Sequence, residues 1–160
     1  MSYETLKWLH VISAAVLVGG GLGSAFHLLA SAMRRDARVV AATAANVLWS
    51  DALLTIPAAV FQAVSGWWMV RQAGLTWSAP WLLWSLVLYG ASLALWLPVI
   101  ALEVAQRNIA RRAAAEGLPL PRSYWACLGL WAALGLVGFA GFLAALWLML
   151  IKRLPGQLPA

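Results

Sequence analysis

The sequence predicts an all-α integral membrane protein, a four-helix bundle in an antiparallel up-down-up-down arrangement. Two observations carry this expectation. The chain is 64% hydrophobic and only 10% charged, which leaves too little polar surface to cover a water-soluble core. Its apolar residues gather into four stretches, each long enough to cross a hydrocarbon layer about 30 Å thick, which takes about 20 residues. The polar segments between them are short, which favours adjacent antiparallel helices. Residues 1–160 are expected to form one transmembrane domain.

Helix one is expected over about residues 5–33, closed by the charged stop Arg34 and Arg35. It is too long for the core of a signal peptide and is expected to remain as a span. Helix two follows over about 40–71, after the connection MRRDAR. Helix three is expected over about 79–106, after RQAGLTWSAP. The segment RNIARRAAAEGLPLPRS reads as the longest connection, its glycine and prolines ending helix three. Helix four is expected over about 122–151 and stops at IKRLPG.

The net charge of +6 would suggest nucleic acid in a soluble protein. Here the charges lie at the ends of apolar spans, so they read as topology signals and no nucleic-acid partner is expected. Arg34, Arg35, Arg38, Arg107, Arg111, Arg112 and Arg122 fall on one side, against Lys7, Arg71, Lys152 and Arg153 on the other. The positive-inside rule then places both termini outside, in the periplasm if the membrane is a bacterial inner membrane. Of the eleven tryptophans, Trp8, Trp67, Trp68, Trp77, Trp81, Trp125 and Trp147 stand near span ends, where an aromatic belt forms. The single cysteine, Cys127, permits no internal disulfide and reads as a core residue.

Polar side chains inside the spans are few, and each is costly enough in lipid to demand a partner or a function. His10, in KWLHVISAA, has apolar neighbours on both sides. An imidazole there can ligate haem iron or a metal through one ring nitrogen while the other donates a hydrogen bond. His27 follows seventeen residues later, roughly 25 Å along the helix, so one helix cannot offer both to one iron. Asp51, in NVLWSDALLTIPA, falls near the middle of helix two and reads as a proton-handling group or an interhelical hydrogen-bond partner, and Pro57 would free the carbonyl of Leu53, so a polar pocket or a helix kink is expected there. Gln62 shares that helix. Glu103 and Arg107 have the spacing of an intrahelical ion pair. In VGGGLGSA, Gly19, Gly20 and Gly23 form a flat surface that admits a second backbone, a second subunit or the face of a cofactor. Nucleotide hydrolysis, serine hydrolysis and zinc-protease chemistry have no local motif.

The segments KWLHVISAAVLVGGGLGSAFHLL, SDALLTIPA, SGWWMV, APWLLWSLVLYG, ALWLPVIALEV and LWLMLIKRLP run through all four helices. On them the chain resembles the bacterial membrane family called domain of unknown function two-two-six-nine. More distantly, the opening lysine, aromatic residue, leucine, histidine and glycines look like the first helix of the membrane protoporphyrinogen oxidase that binds haem b, and of copper-resistance membrane proteins. The resemblance to the oxidase implies that His10 is a haem ligand. The lysine that the oxidase carries in its third helix has no counterpart between Pro80 and Gln106.

The leading expectation is therefore a haem b protein of the bacterial inner membrane, a membrane oxidoreductase moving electrons between quinone and an acceptor. His10 would be the axial ligand, His27 a second candidate, the helix-one glycines the seat of the porphyrin, and Asp51 the proton-handling group. A homodimer in the lipid bilayer is expected with it. The alternatives are a small transporter or channel using Asp51, and an accessory subunit without chemistry.

Overall fold

The computed structural model describes residues 1–154, and among these every regular element is a helix. Residues 155–160, the end of the expected domain, lie outside the described residues. Four helices are long and apolar enough to cross a membrane: α1 (Tyr3–Met33), α2 (Ala37–Gln72), α3 (Pro80–Glu116) and α4 (Arg122–Ile151). The all-α membrane fold class is thus the observed one.

Local chemistry sets where each helix starts and stops. Ser2 Oγ accepts the Thr5 N–H at 3.2 Å and caps α1. After Arg35, which takes a left-handed φ of 54°, Asp36 caps α2: its Oδ1 accepts the N–H groups of Arg38 and Val39 at 2.8 and 3.3 Å. With those donors satisfied, α2 starts at Ala37, earlier than its apolar stretch implied. α3 runs to Glu116, well past Gln106. The segment RNIARRAAAE is polar enough to read as a connection, yet alanine, arginine and glutamate are strong helix formers and prolong the helix beyond its apolar part. Gly117, at φ 65°, ends it, with the Leu118 N–H returning to the Ala113 carbonyl at 2.9 Å.

Midway along α2 the turn widens to a π turn over Asp51–Thr55, where the Ile56 N–H reaches back to the Asp51 carbonyl. Pro57 is the cause: it has no N–H, and in an α-helix its ring would strike the carbonyl of Leu53. The wider turn absorbs one extra residue, which rotates the rest of α2 by about 100° relative to an unbroken helix. Asp51 and Gln62 would share a face in a regular helix. Here Asp51 meets α3 and Gln62 meets α1.

Packing follows chain order, α1 on α2, α2 on α3 and α3 on α4. One buried cluster joins the end of α1 (Leu28, Ala32), the start of α2 (Val40, Ala44), the later part of α3 (Val99, Ala110) and the start of α4 (Tyr124, Leu128). Lipid offers apolar side chains as good a solvent as a neighbouring helix does, so close backbone approach and polar links must hold the bundle. α4 comes close to α3 at Gly138 and Gly141: a Cβ at Gly141 would lie 2.9 Å from Ser92 Oγ. By contrast, a Cβ at Gly19 or Gly23 would meet nothing within 4 Å. That glycine pair admits no helix of this chain.

Candidate functional site: a carboxyl pair and a histidine cluster

Two polar clusters interrupt the apolar interior. The first joins α1 to α2. His10 Nδ1 lies 2.8 Å from Ser65 Oγ, and its Nε2 lies 2.9 Å from Gln62 Nε2. An amide nitrogen only donates, so His10 Nε2 accepts and the ring proton sits on Nδ1, directed at Ser65. Ser65 Oγ is free to accept it because its own hydrogen goes to the Phe61 carbonyl. The amide oxygen of Gln62 accepts from Ser13 Oγ. Gly66 makes room for the ring, since a Cβ there would lie 3.2 Å from His10 Cε1.

The second cluster joins α2, α3 and α4. Asp51 is 5% exposed and Glu103 is 2% exposed. Their carboxyl groups lie within hydrogen-bonding reach of each other. Thr55 Oγ1 donates to Asp51 Oδ1 at 2.8 Å, and Trp131 Nε1 donates to Glu103 Oε1 at 2.9 Å. Glu103 Oε2 has no donor among the described residues. Both groups open onto one cavity, and no lysine, arginine or histidine lines it. The acidic pair therefore stands without a basic counter-charge, an arrangement that is costly in lipid unless a proton or a bound cation supplies it.

Both carboxyl groups face a cavity of about 430 Å³ to which all four helices contribute. Apart from them its walls are mostly aliphatic and aromatic. Tyr89, which donates to the Ala59 carbonyl at 2.7 Å, stands on one wall with Ser92. Beside the pair, toward the other end of α3, Gln106 is fully buried with neither amide atom paired, and the buried Tyr124 hydroxyl on α4 is likewise unpaired among the described residues.

The residues that the sequence singled out divide between these clusters. Asp51 anchors the second and His10 the first. His27 is exposed on the outer face of α1, its ring edge-on to Phe26. Gly20 faces α2, where a Cβ would lie 3.1 Å from Thr55 Oγ1, while Gly19 and Gly23 border open space. Glu103 departs from its reading as the partner of Arg107: it turns inward to Asp51 and Trp131, and the Arg107 guanidinium bonds to Asn108 Oδ1. Burial decides this, since a half-exposed i,i+4 pair contributes only about 0.2–0.5 kcal/mol. Two acids standing alone in neighbouring spans were the available signal for the pair. Ser13, Ser65 and Tyr89 gave none, because hydroxyls are common in spans.

As arranged, the histidine cluster does not fit a haem. Iron ligation needs an imidazole nitrogen with a free lone pair, and Gln62 occupies the one His10 retains. The cavity lies at the carboxyl pair, lined by neither histidine.

The family model of predicted integral membrane proteins, DUF2269, matches residues 4–153. No curated protein and no solved structure matches the chain.

Proposed function

The chain belongs to the DUF2269 family of predicted integral membrane proteins, and from that premise we propose that it is a proton-coupled carrier of small solutes. Its place is the bacterial inner membrane, with both termini in the periplasm as the arginine distribution favours. Asp51 and Glu103 hold the exchangeable proton, and the adjoining cavity takes the solute. The observation that carries this reading is a pair of carboxyl groups, without a basic partner, on the wall of a cavity bounded by four spans. Ionisable groups buried in spans commonly mark ion and proton routes, and in carriers they lie near the midplane between helices. Thr55 and Trp131 each donate to one carboxyl, so they fix its orientation as the proton comes and goes.

The test is a set of proteoliposomes with an imposed pH gradient, an internal pH dye and a panel of amines, acids and neutral solutes. At least one solute should collapse the gradient in the wild type. Asp51→Asn and Glu103→Gln should each slow that collapse by about 100-fold, equivalent to about 2.7 kcal/mol, while eluting from size exclusion like the wild type. A panel without any response, or a response that survives both substitutions, would sink the proposal. A visible spectrum taken on the same preparation covers the haem b reading. A Soret band that vanishes in His10→Ala would replace proton coupling with electron transfer.

A further inference from the structure

Resting on the carrier reading, we infer that the cavity takes a lipid-soluble organic cation, and that the cation enters from the bilayer between α1 and α4 and exchanges for the proton on the carboxyl pair. Three independent features converge on this class of solute.

The first is charge. No lysine, arginine or histidine lines the cavity with Asp51 and Glu103, so an anionic solute would add a second negative charge to a site that already lacks a counter-charge. A cation supplies the counter-charge itself. When it arrives, the proton shared by the two carboxyl groups leaves to water and the charge of the site is conserved. One positive charge enters as one departs.

The second is the wall. Tyr89, Trp96, Trp131, Phe139 and Phe142 all line the space. Aromatic faces within about 6 Å of a cation attract it by about 2 kcal/mol or more when the site is desolvated. They also receive apolar substituents, which a hydrated ion such as sodium lacks. At about 430 Å³ the space falls within the roughly 300–1,000 Å³ of sites for drug-sized ligands.

The third is the way in. Neither α1 with α4 nor α1 with α3 belongs to the firmly packed helix pairs. α1 and α4 approach at Gly21, where a Cβ would lie 3.4 Å from the Phe139 ring. Two of the side chains that line the cavity, Leu22 on α1 and Leu136 on α4, are 54% and 71% exposed on the outer surface of the bundle. The space therefore reaches the lipid-facing surface between these helices. A solute dissolved in the bilayer meets it without crossing water.

Tetraphenylphosphonium is a suitable probe, because its fixed charge carries no proton of its own and any proton released must come from the protein. Binding to the detergent-purified chain is measured by calorimetry together with the pH change in weakly buffered solution. The wild type should bind and release about one proton per cation, whereas the uncharged aromatic triphenylphosphine oxide should bind at least tenfold more weakly. Asp51→Asn combined with Glu103→Gln should abolish the proton release, and Leu136→Trp, which places bulk at the mouth and leaves the carboxyl groups alone, should slow association by about tenfold. Absent binding, binding without proton release, or equal affinity for the neutral compound would each overturn the inference. If instead a neutral solute collapses the pH gradient in a carboxyl-dependent way while the cation does not bind, the inference falls and the carrier reading stands. Cation binding with proton release but no gradient collapse for any solute would keep the cation site and remove the carrier reading.

Discussion

Gln62 and Gln106 are both fully or nearly fully buried, and they have opposite energetic consequences. Gln62 serves His10 with its nitrogen and Ser13 with its oxygen. Removing it leaves both partners short of a bond in an apolar setting, a loss of about 1–3 kcal/mol. Gln106 bonds to nothing among the described residues through either amide atom, so an apolar replacement of similar size removes a desolvation cost and takes no bond away. Thermal unfolding in detergent should therefore show Gln62→Leu with a lower Tm than the wild type and Gln106→Leu with a higher one. Equal shifts in the same direction would refute this account of the two sites. Side-chain partners of this kind were only half legible in the sequence. His10, Asp51 and Gln62 stood out as polar groups among apolar ones, but which side chain each would meet depends on helix rotation.

That rotation belongs to the element scale, and the π turn of α2 is its clearest instance. The sequence showed Pro57 and the carbonyl of Leu53 that it would disturb, but the outcome of the disturbance, a kink or a widened turn, follows from how α2 packs. Because the turn opened, the later part of α2 swings toward α1 while Asp51 stays against α3. Pro57→Ala restores the missing N–H and lets an ordinary α turn form. The expected result is a Tm below that of the wild type, with proton-coupled flux lowered by about tenfold, equivalent to about 1.4 kcal/mol, because Asp51 and the His10 cluster can no longer both be satisfied. Full flux with an unchanged Tm would show that the turn has no bearing on the site. The helix limits teach a related lesson. An apolar window locates the part of a helix that lies in lipid, and it found all four. It is blind to the polar continuation of α3 through Arg107, Arg111 and Arg112, where backbone propensity takes over from hydrophobicity.

At the scale of the whole molecule, the length of α3 gives the proposed orientation a physical anchor. Its 37 residues extend about 56 Å, well beyond a hydrocarbon layer of about 30 Å, so one end projects from the bilayer. The polar end carries Arg107, Arg111 and Arg112, which the proposed orientation sets at the cytoplasmic face, where anionic headgroups attract basic side chains. In a Cys127→Ser background, a membrane-impermeant thiol reagent applied to spheroplasts should label Ser78→Cys directly and Ala115→Cys only after permeabilisation. The reverse pattern would invert the topology and place both termini in the cytoplasm.

The cavity between α1 and α4 has one more consequence. A void of this size that opens onto a bilayer does not stay empty, because acyl chains fill apolar space more readily than water does. On the carrier reading the site is then a lipid-binding site between turnovers, and every solute that enters must first displace a hydrocarbon tail. On that reading membrane composition becomes a competitive inhibitor: chain length and unsaturation set how long the tail lingers in the cavity, and the same protein reconstituted in two lipids would present two different apparent affinities.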